Sequence, residues 1–112
     1  MKPEILEYLT SHISHLNTYN NMYLEIVTPE ASLVSGEVES VTVPGVEGEF
    51  QMLNNHAPIV SVLAEGKVKF SGNPTIAEGF ENKFTKEDGK WVLKITSGTV
   101  EMNNNNVIVL AD

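Results

Sequence analysis

Two hydrophobic periods divide the chain. Near the start, Ile5, Leu6, Leu9, Ile13 and Leu16 recur at intervals of three and four, which places them on one face of a helix. Glu4, Glu7, Ser11, His12 and Ser14 fill the rest, and Pro3 suits a first helical turn. The spacing predicts an amphipathic helix over 3–16, ended by the polar stretch Asn17-Thr18-Tyr19-Asn20-Asn21. From Met22 onward the period is two and β-formers dominate. Strands are expected at Tyr23–Thr28, Leu33–Ser35, Glu37–Val43, Gly48–Leu53, Ile59–Leu63, Lys67–Phe70, Glu81–Lys86, Lys90–Thr96, Thr99–Met102 and Val107–Leu110. The breaks carry turn chemistry: Pro29, Gly36 as a bend, Pro44-Gly45, Asn54-Asn55, Glu65-Gly66, Asp88-Gly89 and the run Asn103–Asn106. Ser71–Phe80, with Gly72, Pro74 and Gly79, reads as loop or short irregular strand. Many short strands at regular spacing argue an all-β sandwich or flattened barrel over 22–112. Residues 1–21 are a leader, either a helix or a terminal extension. The strand pattern is complete without them, so they are expected to be dispensable for folding.

Composition changes this picture mainly by exclusion. Fifteen acidic residues face seven Lys and no Arg, a formal net charge of −8. Nucleic-acid binding needs cations on phosphates, and its commonest base contacts use Arg, so that class is excluded. Anionic lipid is disfavoured for the same reason. With no Cys there is neither a disulfide framework nor a thiolate metal site. No apolar run approaches the ~20 residues of a membrane span. A phosphate-cradling loop needs Gly-Lys followed by Ser or Thr, but Gly66-Lys67 precedes Val68 and Gly89-Lys90 precedes Trp91.

Few residues remain as candidates for chemistry. His12 and His15 stand at i and i+3 on the leader helix, where two exposed histidines are favoured over a metal pair lacking a third ligand. His56, beside Ala57-Pro58, has no evident catalytic partner and reads as a turn residue whose ring bonds the adjacent backbone. Glu47 and Glu49 flank Gly48 and would project to one side of an extended segment. By composition alone they are a solvated acidic loop, and Glu37 and Glu39 are the wet face of a strand. Trp91 is expected to pack near its hairpin. No catalytic residue, cofactor or metal site is expected.

Two stretches add a resemblance. Val41-Thr42-Val43-Pro44-Gly45-Val46-Glu47-Gly48-Glu49-Phe50 leads to Asn55-His56-Ala57-Pro58-Ile59 and Leu63-Ala64-Glu65-Gly66-Lys67-Val68. Gly98-Thr99-Val100-Glu101-Met102 leads to Asn106-Val107-Ile108-Val109-Leu110-Ala111-Asp112. In this order they resemble the N-terminal domain of the F-type ATP synthase epsilon subunit (delta in mitochondria), over about Met22 to Asp112. The resemblance implies a ten-stranded β-sandwich. It also implies a non-catalytic central-stalk role, bound to gamma along one side and resting a lower edge on the loops of the membrane c-ring. Glu47, Glu49 and His56 match positions of that edge, where a basic c-ring loop would complement the carboxylates. A peripheral place on the cytoplasmic face of the inner membrane follows, without membrane insertion, and the isolated domain is expected to be monomeric.

The family commonly continues past Leu-Ala-Asp into two helices that inhibit and, in some members, bind ATP. This chain stops at Asp112, so those properties are not carried over. Gly72–Lys90 is also longer than the family's usual connection. The rival reading is a stand-alone sandwich binding a peptide or carbohydrate, which would expect an exposed aromatic platform.

Overall fold

The computed structural model describes residues 22–112; the helix expected over 3–16, with His12 and His15, lies outside them. Ten strands form one continuous hydrogen-bonded sheet, folded into the two layers of a β-sandwich. They are β1 (Met22–Val27), β2 (Ser32–Gly45), β3 (Gly48–Leu53), β4 (Ile59–Leu63), β5 (Gly66–Gly72), β6 (Thr75–Ile76), β7 (Phe84–Glu87), β8 (Lys90–Ile95), β9 (Gly98–Asn103) and β10 (Asn106–Ala111). The main strand order is β1-β10-β9-β4-β2-β5-β8-β7, with β3 and β6 attached to β2. β1 and β10 run parallel, whereas the other neighbours are antiparallel.

β2 joins the two layers. Its first half pairs with β1, its second half with β3 and β5, and Gly45 at its end with Leu63 of β4. Fourteen residues at about 3.4 Å each would reach roughly 45 Å, yet the longest dimension of the domain is 32 Å. The strand must therefore bend. Gly36 takes φ +148°, and a Cβ there would meet Pro74 Cα at 2.8 Å. Two residues on, the pairing with β5 slips between Val38 and Ser40. The sequence reading split this segment at Gly36. The structure corrects it to one strand, because glycine bends the backbone there without breaking the ladder to β1.

Three boundaries also move. Pro44 and Gly45 remain in β2, paired with Glu49 and Gly48, so the turn falls on Val46 and Glu47. The stretch read as loop or short irregular strand at Ser71–Phe80 contains the two-residue β6, which pairs with Val34 and Ser35. The start of the expected 81–86 strand is a 3-10 turn, Glu81–Lys83, before β7 begins. Asp88 and Gly89 have φ of 53° and 79°, the left-handed pair of a tight hairpin turn.

The core lies between the layers. Leu24, Ile26, Val41, Val43, Val68 and Phe70 are fully buried, and Phe84 meets Phe70 edge-on at 6.1 Å. Gly98 opens β9 where the backbones of β9 and β10 close together; an added Cβ would collide with the carbonyl oxygen of Leu110. Backbone cannot yield as a side-chain tip can, so Gly98→Ala should cost about 3 kcal/mol, the upper end of overpacking. Thermal unfolding should show a midpoint lower by roughly 10 °C or more; an unchanged midpoint would refute the close approach.

Candidate functional site

β3 is a free edge: among the described residues it pairs with β2 alone. The three residues singled out from sequence lie along this edge but do not cluster. Glu47 sits in the turn entering β3 and Glu49 is its second residue, both exposed. His56 lies beyond the other end, where its backbone N–H donates to Leu53 O at 3.0 Å. The length of β3, roughly 15–20 Å for six residues, separates the carboxylates from the imidazole. Glu47 and Glu49 do not share one extended segment, in keeping with the loop reading. Glu47 occupies a turn, and Gly48 has φ +127°.

The electrostatics of the edge are those of open surface. Glu49 lies 3.9 Å from Lys69, with side-chain exposures of 57% and 32%. Such a pair contributes about 0–1 kcal/mol. Glu47 has no ion pair among the described residues. The ring of His56 bonds the adjacent backbone, Nδ1 to Ala57 O at 2.7 Å, as the turn reading expected. Gln51 and Leu53, exposed on the same strand, extend the edge between its acidic and imidazole ends. Sequence reasoning missed them because alternation marks them only as the outward half of a strand.

The His56 corner is pinned from a distance in sequence. Asn104 and Asn105 have φ of 51° and 63°, forming the tight turn between β9 and β10. The side chain of Asn105 is buried, and its Oδ1 accepts from Asn55 N–H at 2.7 Å. Its Nδ2 donates to Asn54 Oδ1 at 2.7 Å and to Asn55 Oδ1 at 3.3 Å. The Asn run is thus a turn, as read, and also a clasp holding the loop ahead of His56. Asn105→Gly keeps the left-handed backbone free of strain while removing all three bonds and orphaning a backbone N–H. We expect a loss of about 1–3 kcal/mol, read as a midpoint lower by roughly 5–15 °C. An unaltered midpoint would mean the clasp is ornamental.

A second surface faces away from the core. In β4, Ile59 and Ser61 pair with Met102 and Val100 and turn inward, so Val60 and Val62 turn outward. They are 73% and 58% exposed, and Val46 in the β2–β3 turn is 58% exposed. Val46 N–H donates to Val62 O at 3.3 Å, which joins the turn valine to the stripe. Beside Val62 an open groove of about 670 Å³ is lined by Val27, Ala31, Leu63, Leu110 and Ala111, with Asp112 at its rim. Trp91 does not offer a stacking platform. It packs edge-on against Phe84 at 6.5 Å, with Lys86 Nζ 4.4 Å from its ring centre. Among the described residues no three potential metal ligands gather, and no helix is long and apolar enough to cross a membrane.

The described residues thus form a ten-stranded sandwich with an acidic free edge and outward-facing valines on β4. Residues 21–112 match the family described as ATP synthase, Delta/Epsilon chain, beta-sandwich domain. The chain belongs to that family. It is 40% identical over 90 residues to the ATP synthase epsilon chain of Wolinella succinogenes, covering 80% of this chain and 58% of the relative. It is 36% identical over 93 residues to that of Campylobacter concisus, covering 83% and 62%. This chain therefore spans about three-fifths of the length of these relatives. Among solved structures, a chain of the Euglena gracilis mitochondrial ATP synthase (OSCP/F1/c-ring) shares the fold. Its TM-score is 0.61 at 22% identity, over 82% of this chain and 51% of that one.

Proposed function

We propose that this domain is a non-catalytic central-stalk subunit of a proton-translocating F-type ATP synthase, linking the gamma subunit to the membrane c-ring. The observation that carries the reading is the presence on one rigid body of two surfaces of opposite character, which meet at the β2–β3 turn where Val46 adjoins Glu47. The outward valines of β4 suit burial against a protein face, and the charged β3 edge suits a wet contact with polar loops. A linker between two partners needs both, with a stiff core between them, and a closely packed sandwich supplies that stiffness. Gamma docks on β4, while Glu47, Glu49 and His56 meet the c-ring. Rotation driven by proton flow then passes through the domain, and the chemistry occurs on other subunits.

The domain unit is residues 22–112. It is monomeric when isolated and sits peripherally on the cytoplasmic face of the inner membrane. Direct lipid contact is disfavoured, because the chain's net charge of −8 meets anionic headgroups with repulsion. The test is reconstitution into synthase-bearing membranes stripped of this subunit. The added chain should co-sediment with gamma and restore proton-coupled ATP synthesis. Failure to bind gamma in this assay sinks the reading.

A further inference from the structure

We propose that the outward face of β5 and β8 is a docking surface for an acidic protein segment in extended conformation, with carboxylates at alternate residues. Among the described residues, charge is sorted along the chain. Residues 66–94, from the start of β5 to Lys94 in β8, hold six lysines and four acidic residues. Residues 22–65 and 95–112 hold nine acidic residues and no Lys or Arg. The register then sorts the lysines by face. Lys67 of β5 stands opposite Lys94 of β8, and Lys69 stands opposite Val92. Val68, Phe70, Leu93 and Ile95 alternate with them and enter the core, so Lys67, Lys69, Lys90 and Lys94 share the outward side. Thr85 and Glu87 of β7 flank this row beside Val92 and Lys90. On the other flank Thr42 of β2 stands beside Lys69, and the hydroxyls of Ser40 and Ser71 bond at 2.8 Å.

A second observation is that this face lacks counter-charges. Lys67 reaches Glu87 at 3.1 Å and Lys69 lies 3.9 Å from Glu49, but Lys90 and Lys94 have no ion pair among the described residues. Like charges directly opposite on neighbouring strands destabilise a sheet, and Lys67 and Lys94 are such a pair. Lys94 is exposed and the side chain of Lys67 is 41% exposed, so an incoming carboxylate can reach both. Placed between them, it relieves a repulsion as well as forming ion pairs.

The layout selects the partner's chemistry. Lys67 and Lys69 stand about 7 Å apart along β5, and Lys90 and Lys94 about 13 Å apart along β8. An extended peptide repeats the side chains of one face at the same interval of about 7 Å. Successive carboxylates then match the lysine rows, whereas a single phosphate engages only one pair. A membrane is disfavoured, because it would also meet the acidic majority of the surface. For a small partner that majority is remote. The screening length is about 8 Å at physiological ionic strength, while the domain measures 32 × 32 × 29 Å. The acidic far side therefore does not cancel the basic face. The inference does not rest on the proposed assembly.

The test titrates the full chain with a short labelled peptide of alternating Glu and Thr, followed by fluorescence anisotropy and amide resonances. A second peptide carries Gln in place of Glu. The acidic peptide should bind, should weaken with added salt, and should shift the amides of β5 and β8 while those of β4 stay fixed; the Gln peptide should not bind. Lys67→Gln with Lys94→Gln should weaken binding roughly three- to thirtyfold. The control, Lys83→Gln with Lys86→Gln, removes equal charge elsewhere, since Lys83 pairs with Glu30 and Lys86 lies over Trp91. It should weaken binding by less than about twofold. Lys94→Glu alone separates recognition from folding. It sets a carboxylate opposite Lys67, so the unfolding midpoint should hold or rise by up to about 5 °C while peptide binding falls. Equal losses from the two double variants would assign the binding to net charge and overturn the proposal, as would equal binding of the Gln peptide. Displacement of the peptide by equimolar inorganic phosphate would overturn it in favour of a simple anion site. Co-sedimentation with phosphatidylserine vesicles, absent with phosphatidylcholine ones, would overturn it in favour of a membrane.

Discussion

Val60→Lys combined with Val62→Lys should abolish binding to gamma while leaving the isolated domain folded. Both side chains point outward from β4 and are among the most exposed apolar residues of the domain, so in the free protein the ammonium groups stand in water. Surface changes of this kind alter stability by only about ±0.5 kcal/mol. Against a closely packed partner the same charges are desolvated without counter-ions, which costs on the order of 3–5 kcal/mol. That corresponds to a dissociation constant weakened roughly 150- to 5,000-fold. Val60→Ala with Val62→Ala removes only apolar area and should lose less. Titration calorimetry with purified gamma reads both effects, and circular dichroism reports the fold. If the lysine variant binds gamma as tightly as the unaltered domain, β4 is not the docking strand.

Much of the fold was legible because period two survives wherever one face of a strand is buried. Gly48–Leu53 and Ile59–Leu63 were read with their observed boundaries, since turn residues close both. The expected count of ten strands was also met, but through two compensating differences. Gly36 was read as a bend, and it is one; what the local pattern could not show is that the ladder to β1 runs through it, so that two expected strands are one. The two-residue β6 falls in the stretch read as loop or short irregular strand, and spacing could not place it because its ladder to Val34 and Ser35 is distant in sequence. The bend and the added strand belong together, since Pro74, just ahead of β6, packs against Gly36.

The candidate site was less legible than the fold. Spacing identified Glu47 and Glu49, and Glu47 sits in an exposed turn, as the loop reading had it. It could not show that β3 is an edge, because edge status depends on which strands come to lie beside it. The clasp of Asn105 on Asn54 and Asn55 spans fifty residues of sequence and leaves no local signature. The outward valines of β4 were read simply as strand residues. Alternation gives two faces, but in a sandwich only the layer packing decides which one meets water.

Replacing Glu47 and Glu49 together with Lys should detach the domain from the membrane rotor without detaching it from gamma. Glu47 lies exposed in a turn and Glu49 is exposed on the edge strand, so the fold should tolerate both changes. The one local penalty is at Glu49, where a Lys would face Lys69 in place of the present 3.9 Å ion pair. On exposed surface that exchange costs about 1 kcal/mol or less. Against a basic c-ring loop the change is larger, because juxtaposed like charges at an interface cost several kcal/mol. The loss should be greatest at low ionic strength, since the screening length falls from about 30 Å at 0.01 M salt to about 10 Å at 0.1 M. The control must carry the same charge change elsewhere. Glu37 and Glu39 are poorly placed for it, because the next residue, Ser40, pairs with Leu53 at the end of β3. Glu78→Lys with Glu81→Lys, exposed in the connection between β6 and β7, is better separated. In reconstituted membranes the edge variant should lose rotor attachment while still capturing gamma, and the control should keep both. Equal weakening by the two variants would assign the effect to net charge. Full attachment of the edge variant at low salt would remove Glu47 and Glu49 from the rotor contact, even with gamma still bound at β4.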